Sequence, residues 1–334
     1  MTDGETLAGL GEDALVRGIL GRYGPMPAFV RVGPGDDAAV LDLSGPVVAS
    51  TDTLVEGRDF LRRWSTGVDV GVKLAAQNFA DIAAMGARPV ALLVSLAAPS
   101  DLPVAFADDL ARGLDDECRR AAAAVVGGDV SDSDCLVITG TALGVLAGRP
   151  VLRSGAQVGD TVAICGAVGR SAAGLALLSS GFAGPEGRLD RVVTAHRAPR
   201  PPYPAGPLAA AAGATALIDT SDGLVRDVTR IAEASGVVID LDPAAVRQSL
   251  GEALDDLEVV AAALRDLGLV DHWIYTGGED HALVGSFPAG AVLPEGFHAI
   301  GSVRERRVPG AAGAAALLVA GTPWTGTSGW LHWR

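Results

Sequence analysis

Short apolar runs that stop at an aspartate beside glycine recur along this chain, and they limit its fold more than any other feature. Asp36-Asp37 follow Gly33-Pro34-Gly35 and lead into the apolar run 38–41. Ser50-Thr51-Asp52-Thr53 end the run 47–50, and Gly127-Gly128-Asp129 follow Ala124-Val125-Val126. Asp219-Thr220-Ser221-Asp222-Gly223 and Gly277-Gly278-Glu279-Asp280 repeat the pattern further on. Runs of this length bounded by Gly, Pro and Asp read as strands that meet turns or helix starts. Segments of helical period lie between them, so the chain reads as α/β or α+β.

In the first half the patterning predicts strands at 38–43, 47–50, 90–96 and 136–146, with helices at 66–85 and 103–123. A turn-rich connector at 148–159 separates the halves and sets the expected domains at 1–148 and 149–334. The second half predicts strands at 161–165, 214–218, 237–241, 282–287 and 298–303. Helices are expected near 171–179, 223–234 and 257–267, and the proline-rich 199–207 reads as a rigid surface turn or linker.

Composition narrows the chemistry. With 40 acidic and 26 basic residues the formal charge is −14, which repels nucleic acid and anionic membranes. The longest apolar stretches fall short of the roughly 18 residues of a membrane span, and the acidic start does not read as a signal peptide. The three cysteines form no CxxC pair and the five histidines no HxxxH or HExxH spacing. A cytoplasmic location is the expectation. The chain has one lysine, Lys73, without the Gly-Lys-Ser/Thr neighbours of a Walker A loop, and no HRD or DFG signature. Any ATP chemistry must use another device.

An aspartate beside glycine is ordinarily a turn residue or helix N-cap, and Asp222 or Ser221 would serve as one. Collectively, the sites follow strands, where α/β folds gather ligand residues. On the 66–85 helix, Val72, Ala75, Phe79 and Ile82 share one face, with Lys73, Gln77, Asn78 and Asp81 roughly opposite. That polar stripe is either a solvated face or the wall of a site. If the aspartates converge, two bare carboxylates ~4 Å apart repel by about 4 kcal/mol at an effective dielectric of 20, so cations must hold them. Oxygen-only donors suit Mg²⁺.

Taken in order, Gly35-Asp36-Asp37-Ala38-Ala39, Ser50-Thr51-Asp52, Asn78 to Ala87, Gly127-Gly128-Asp129, Arg153-Ser154-Gly155-Ala156, Asp219 to Leu224 and Gly277 to Asp280 resemble the thiamine-monophosphate kinase family. That family belongs to the aminoimidazole-ribonucleotide-synthetase-like superfamily. The resemblance runs from about residue 30 to Gly329-Trp330. It implies a two-domain fold with N-terminal sheets pairing across a homodimer. It also implies phosphorylation of thiamine monophosphate by ATP with several Mg²⁺ ions. Metal ligands would be Asp37, Ser50, Thr51, Asp52, Asp81, Asp129, Asp219 and Asp222. Gly128, Asp129, Arg153 and Ser221 would contact ATP, with Arg153 and Asp129 serving the transfer itself. Glu279 and Trp330 would contact the acceptor. Asp59 stands where the family often carries histidine, which puts that substrate contact in question. The acceptor is already an anion, so no general base is required. Two other readings stay open here: a different ATP-dependent synthetase of the superfamily, and a non-catalytic, metal-stabilised dimeric binding protein.

Overall fold

Why the first unit forms a four-stranded sheet is visible in its β-branched and small residues, which alternate between a helix-covered face and an open one. The computed structural model describes residues 5–181, 187–306, 316–327 and 329. Two units form: the first holds the described residues up to Ile82 and Arg88–Ala147, the second Ala83–Ala87 and the described residues from Gly148 onward.

The first unit opens with α1 (Leu7–Leu10), α2 (Glu12–Leu20) and a small antiparallel pair, β1 (Val30–Val32) and β2 (Val40–Leu41). Then come β3 (Val47–Val55), α3 (Gly67–Ala84), β4 (Arg88–Ala98), α4 (Val104–Arg120), β5 (Ala124–Asp132) and β6 (Val137–Val145). The sheet order is β3-β6-β4-β5, with β4 and β5 parallel and the other pairs antiparallel. At one end of the sheet Val90, Ala91, Ala124 and Val126 pack against Met26, Phe29, Val30, Leu41 and Leu43. Further along, Thr51 and Thr53 of β3 and Leu93 and Ser95 of β4 are exposed. Thr51 and Thr53 exchange hydroxyl contacts with Thr141 at 3.1 Å and Thr139 at 2.9 Å.

The second unit runs β7 (Thr161–Cys165), α5 (Arg170–Ser179), α6 (Arg188–Arg197), α7 (Ala205–Ala211), β8 (Ala216–Asp219), α8 (Leu224–Ser235) and β9 (Val238–Leu241). It continues with α9 (Pro243–Ser249), α10 (Glu252–Ala263), α11 (Leu269–Thr276), β10 (Leu283–Phe287), β11 (Phe297–Arg304), β12 (Leu317–Val319) and β13 (Thr322–Pro323). Its seven-stranded sheet has the order β13-β12-β9-β11-β7-β10-β8 and is antiparallel except where β12 joins β9. Val162, Ile164, Ile218, Ile239 and Ile300 of the sheet share one core with Val228, Ile231, Leu257, Val260 and Trp273 of the helices. The antiparallel majority makes the fold α+β rather than doubly wound. Among the described residues no helix is long and apolar enough to cross a membrane.

Four expectations need correction. The strand expected at 38–43 shrinks to Val40–Leu41, because its partner β1 is only three residues long. Ser50, Thr51 and Asp52 do not end a strand: β3 continues to Val55, pairing Asp52 with Gly140 and Thr53 with Thr139. Gly128 and Asp129 likewise lie within β5. The proline-rich 199–207 is not simply a surface turn, since Pro201 and Tyr203 are buried and α7 begins inside it.

Candidate functional site

In the second unit two turns lock backbone to backbone. The first, 219–223, leaves the end of β8; the second, 277–281, follows α11. The Glu279 and His281 amides donate to the carbonyls of Ser221 at 2.9 Å and Thr220 at 3.1 Å, and the Thr220 amide donates to the Ala282 carbonyl at 2.8 Å. Only glycine permits this approach. A Cβ on Gly278 would lie 2.5 Å from the Ser221 carbonyl oxygen, and Gly223, at φ +116°, would place one 2.8 Å from that of Thr276.

The lock brings several sequence-predicted residues together. Asp219 is buried, and its Oδ2 accepts from His281 Nδ1 at 2.9 Å. Asp222 is not the N-cap of α8; that position is Gly223. Instead its Oδ2 is held by Arg226 at 3.3 Å and Arg230 at 2.5 Å, in the first and second turns of the helix. Arg230 also reaches the wholly buried Asp227 at 2.6 Å. Burial, then the nearby charge of Asp219, pushes the Asp227 carboxyl up to about 7, against the pull of the Asp222 amide and Arg230. Ser221 is half-buried, while the Thr220 hydroxyl is buried with no hydrogen-bond partner among the described residues.

The 277–281 turn sends three consecutive side chains three ways. Glu279 Oε2 lies 3.4 Å from His196 Nδ1 and 3.5 Å from Ser171 Oγ. Asp280 accepts the amides of Gly169 at 2.7 Å and Ser171 at 2.9 Å, at the start of α5. His281 turns back to Asp219. Arg153 is exposed, and its loop is fixed at the other end of α8. Ser235 Oγ donates to the Arg153 carbonyl at 3.0 Å and accepts the Ala156 amide at 3.1 Å. Twelve helical residues span roughly 17 Å, so Arg153 and Ser221 stand well apart. Trp330 lies outside the described residues. Its neighbour Gly329, at φ +87°, sits against the Asp222 carbonyl.

In the first unit the polar stripe of α3 is not solvated. Lys73 is 2% exposed and Asn78 0%. Asn78 accepts the Asp52 amide at 3.1 Å and donates to the Leu74 carbonyl at 2.8 Å, joining helix to strand. Asp81 accepts from Ser50 Oγ at 2.6 Å. Lys73 donates to the Asp59 carbonyl at 3.1 Å, and the Asp59 carboxylate accepts the Val55 amide at 2.8 Å, which closes the turn after β3. Asp37 is exposed.

Sheet register separates two of the predicted ligands. Asp52, Gly140, Val94 and Gly128 form one row across the four strands, and Thr53, Thr139, Ser95 and Asp129 form the next. Adjacent rows face opposite sides, and three strand spacings are about 14 Å. Asp52 therefore faces α3 while Asp129 leaves from the open face, so within one chain no single ion touches both.

The candidate donors are all carboxylate and hydroxyl oxygens, which fits Mg²⁺ and not zinc or copper. Among the described residues no three His, Cys, Asp or Glu side chains are grouped to hold a metal. Mg²⁺ does not need such a cage, because it is held through one or two carboxylates with water and substrate phosphate completing the shell. Arg226, Arg230, Asp227 and His281 were not singled out from sequence. The i, i+4, i+8 spacing of Asp222, Arg226 and Arg230 was the available signal.

Residues 35–146 match the family model described as AIR synthase related protein, N-terminal domain. A thiamine-monophosphate kinase of Mycobacterium tuberculosis (strain CDC 1551 / Oshkosh) is 45% identical over 333 residues, covering 98% of this chain and 93% of the relative. One of Corynebacterium glutamicum is 42% identical over 316 residues, covering 92% and 90%. The solved structure of AaThiL complexed with AMPPCP and TMP superimposes with a TM-score of 0.75 at 28% identity, over 99% of this chain and 100% of that one.

Proposed function

The chain belongs to the thiamine-monophosphate kinase family, and on that premise we propose that it transfers the terminal phosphoryl group of ATP to thiamine monophosphate, giving thiamine diphosphate and ADP. The observation that carries this is 45% identity sustained over 98% of the chain. The complex of AaThiL with AMPPCP and TMP supports both substrates.

The acceptor is a phosphate monoester whose oxygen is already anionic, so the protein has no proton to remove. Its task is to align two anions in line and to offset the charge that grows on the transferred group. Bound Mg²⁺ would supply most of that charge. In our reading several Mg²⁺ ions are held, by ligands drawn from Asp37, Ser50, Thr51, Asp52, Asp81, Asp129, Asp219 and Asp222, and Gly128, Asp129, Arg153 and Ser221 contact ATP. Arg226 and Arg230 hold the Asp222 carboxylate in place before substrate arrives. Glu279 faces the acceptor, where a carboxylate attracts the cationic thiazolium. Trp330 is assigned to the same cation by resemblance alone, its aromatic face being suited to cation–π contact. Asp59 keeps a weaker claim, because its carboxylate already serves the turn at Val55.

We assign the enzyme to the cytoplasm and to a homodimer formed through the open face of the β3-β6-β4-β5 sheet. The metal assignment is tested by Asp52→Asn, Asp129→Asn and Asp222→Asn. Each should raise the Mg²⁺ needed for half-maximal turnover or abolish turnover with the fold intact. Full activity at unchanged Mg²⁺ in all three would reduce these residues to turn and strand polar groups.

A further inference from the structure

We propose that His281 is a positioning residue: its ring holds the Asp219 carboxylate in place and thereby ties the acceptor-side turn to the metal-side turn. The proposal rests on the reading of Asp219 as a Mg²⁺ ligand. The contact joins two buried groups, Asp219 at 2% exposure and His281 at 5%, across 2.9 Å. A carboxylate oxygen is the acceptor in this pair, and the His281 Nδ1–H donates to Asp219 Oδ2. Partners of this kind fix the orientation of metal-ligating side chains.

The backbone at this position strengthens the case. His281 sits at φ +55°, a left-handed conformation that glycine would adopt without penalty. An imidazole stands there instead, two residues after Glu279, itself at φ +66°. The amides of both residues bond to the 219–223 turn, and the His281 ring adds the side-chain link. Glu279 and Asp219 are thus held in register by one short, strained segment.

Three variants of the full chain test this, with Mn²⁺ as the probe in the presence of AMPPCP and binding read by electron paramagnetic resonance without turnover. His281→Gly removes the ring while easing the backbone. His281→Asn restores a donor near the Nδ1 position in a residue that tolerates left-handed φ. Asp219→Asn checks the underlying reading. The expected result is Mn²⁺ binding weakened roughly 10- to 100-fold in His281→Gly and in Asp219→Asn, with His281→Asn within about 3-fold of wild type. If Asp219→Asn loses Mn²⁺ binding while His281→Gly keeps it, the positioning role is overturned and the metal reading survives. If Asp219→Asn binds Mn²⁺ normally, the metal reading of Asp219 fails and the proposal falls with it. Loss of binding in both His281 variants would overturn the hydrogen-bond role.

Discussion

At Asp280 burial outweighs the two amides that the carboxylate serves. Burial pushes this carboxyl from 3.8 up to about 7, although the Ser171 and Gly169 amides and His281 favour its charged form. In the unfolded chain it ionises near 3.8, so between about pH 4 and 7 the folded state binds the extra proton. Stability from this group is therefore present at the acid end and lost progressively as pH rises from about 4 through 7, by about 1.4 kcal/mol per pH unit at most. Asp280→Asn should melt close to wild type at pH 5 and gain on it by a few degrees toward pH 8, measured by calorimetry. Parallel curves would contradict the assignment. Local rules reached some of these residues and stopped at others. Asp222 reads as an N-cap from its neighbours alone, because capping is a rule of three or four residues. Its real partners, Arg226 and Arg230, appear only once α8 is known to start at Leu224. The His281–Asp219 pair spans 62 positions and left no local trace in the sequence.

Among the elements, β3 shows why a strand outran its apolar run. After Ser50 the alternation continues in hydroxyl and carboxylate, with Thr51 and Thr53 outward and Ser50 and Asp52 toward the polar stripe of α3. A hydrophobicity pattern cannot see a strand whose buried partner is an asparagine. The long helices and the apolar strands β4, β6 and β7 were legible within a few residues, since their burial is what their composition displays. β12 and β13 were not foreseen, and the parallel join of β12 to β9 depends on a distant crossover. Gly140 is the seat of the α3 contact: a Cβ there would fall 2.6 Å from Asn78 Nδ2. Gly140→Ala should lower the urea midpoint, at a cost of about 1–3 kcal/mol from overpacking. An unchanged midpoint would mean that the helix and strand can separate freely at this point.

For the whole molecule, motif order was legible in the sequence. The placement of Asp52 and Asp129 on opposite faces of one sheet was not, because register is set by pairing and not by spacing. The open face, with Leu93 and the Thr51, Thr53, Thr139 and Thr141 hydroxyls, is where we expect the second copy, burying more than about 2,000 Å² in total. Sedimentation at micromolar protein should give a dimer, and Leu93→Asp should shift it toward monomer. A wild-type monomer would remove that assignment. The account turns most directly on the products of one reaction. With the purified chain, ATP, Mg²⁺ and thiamine monophosphate, chromatography should show thiamine diphosphate and ADP rising in equal amounts, with neither formed when the acceptor or the metal is left out. AMP in place of ADP, or ATP hydrolysis without thiamine diphosphate, would contradict direct phosphoryl transfer to this acceptor.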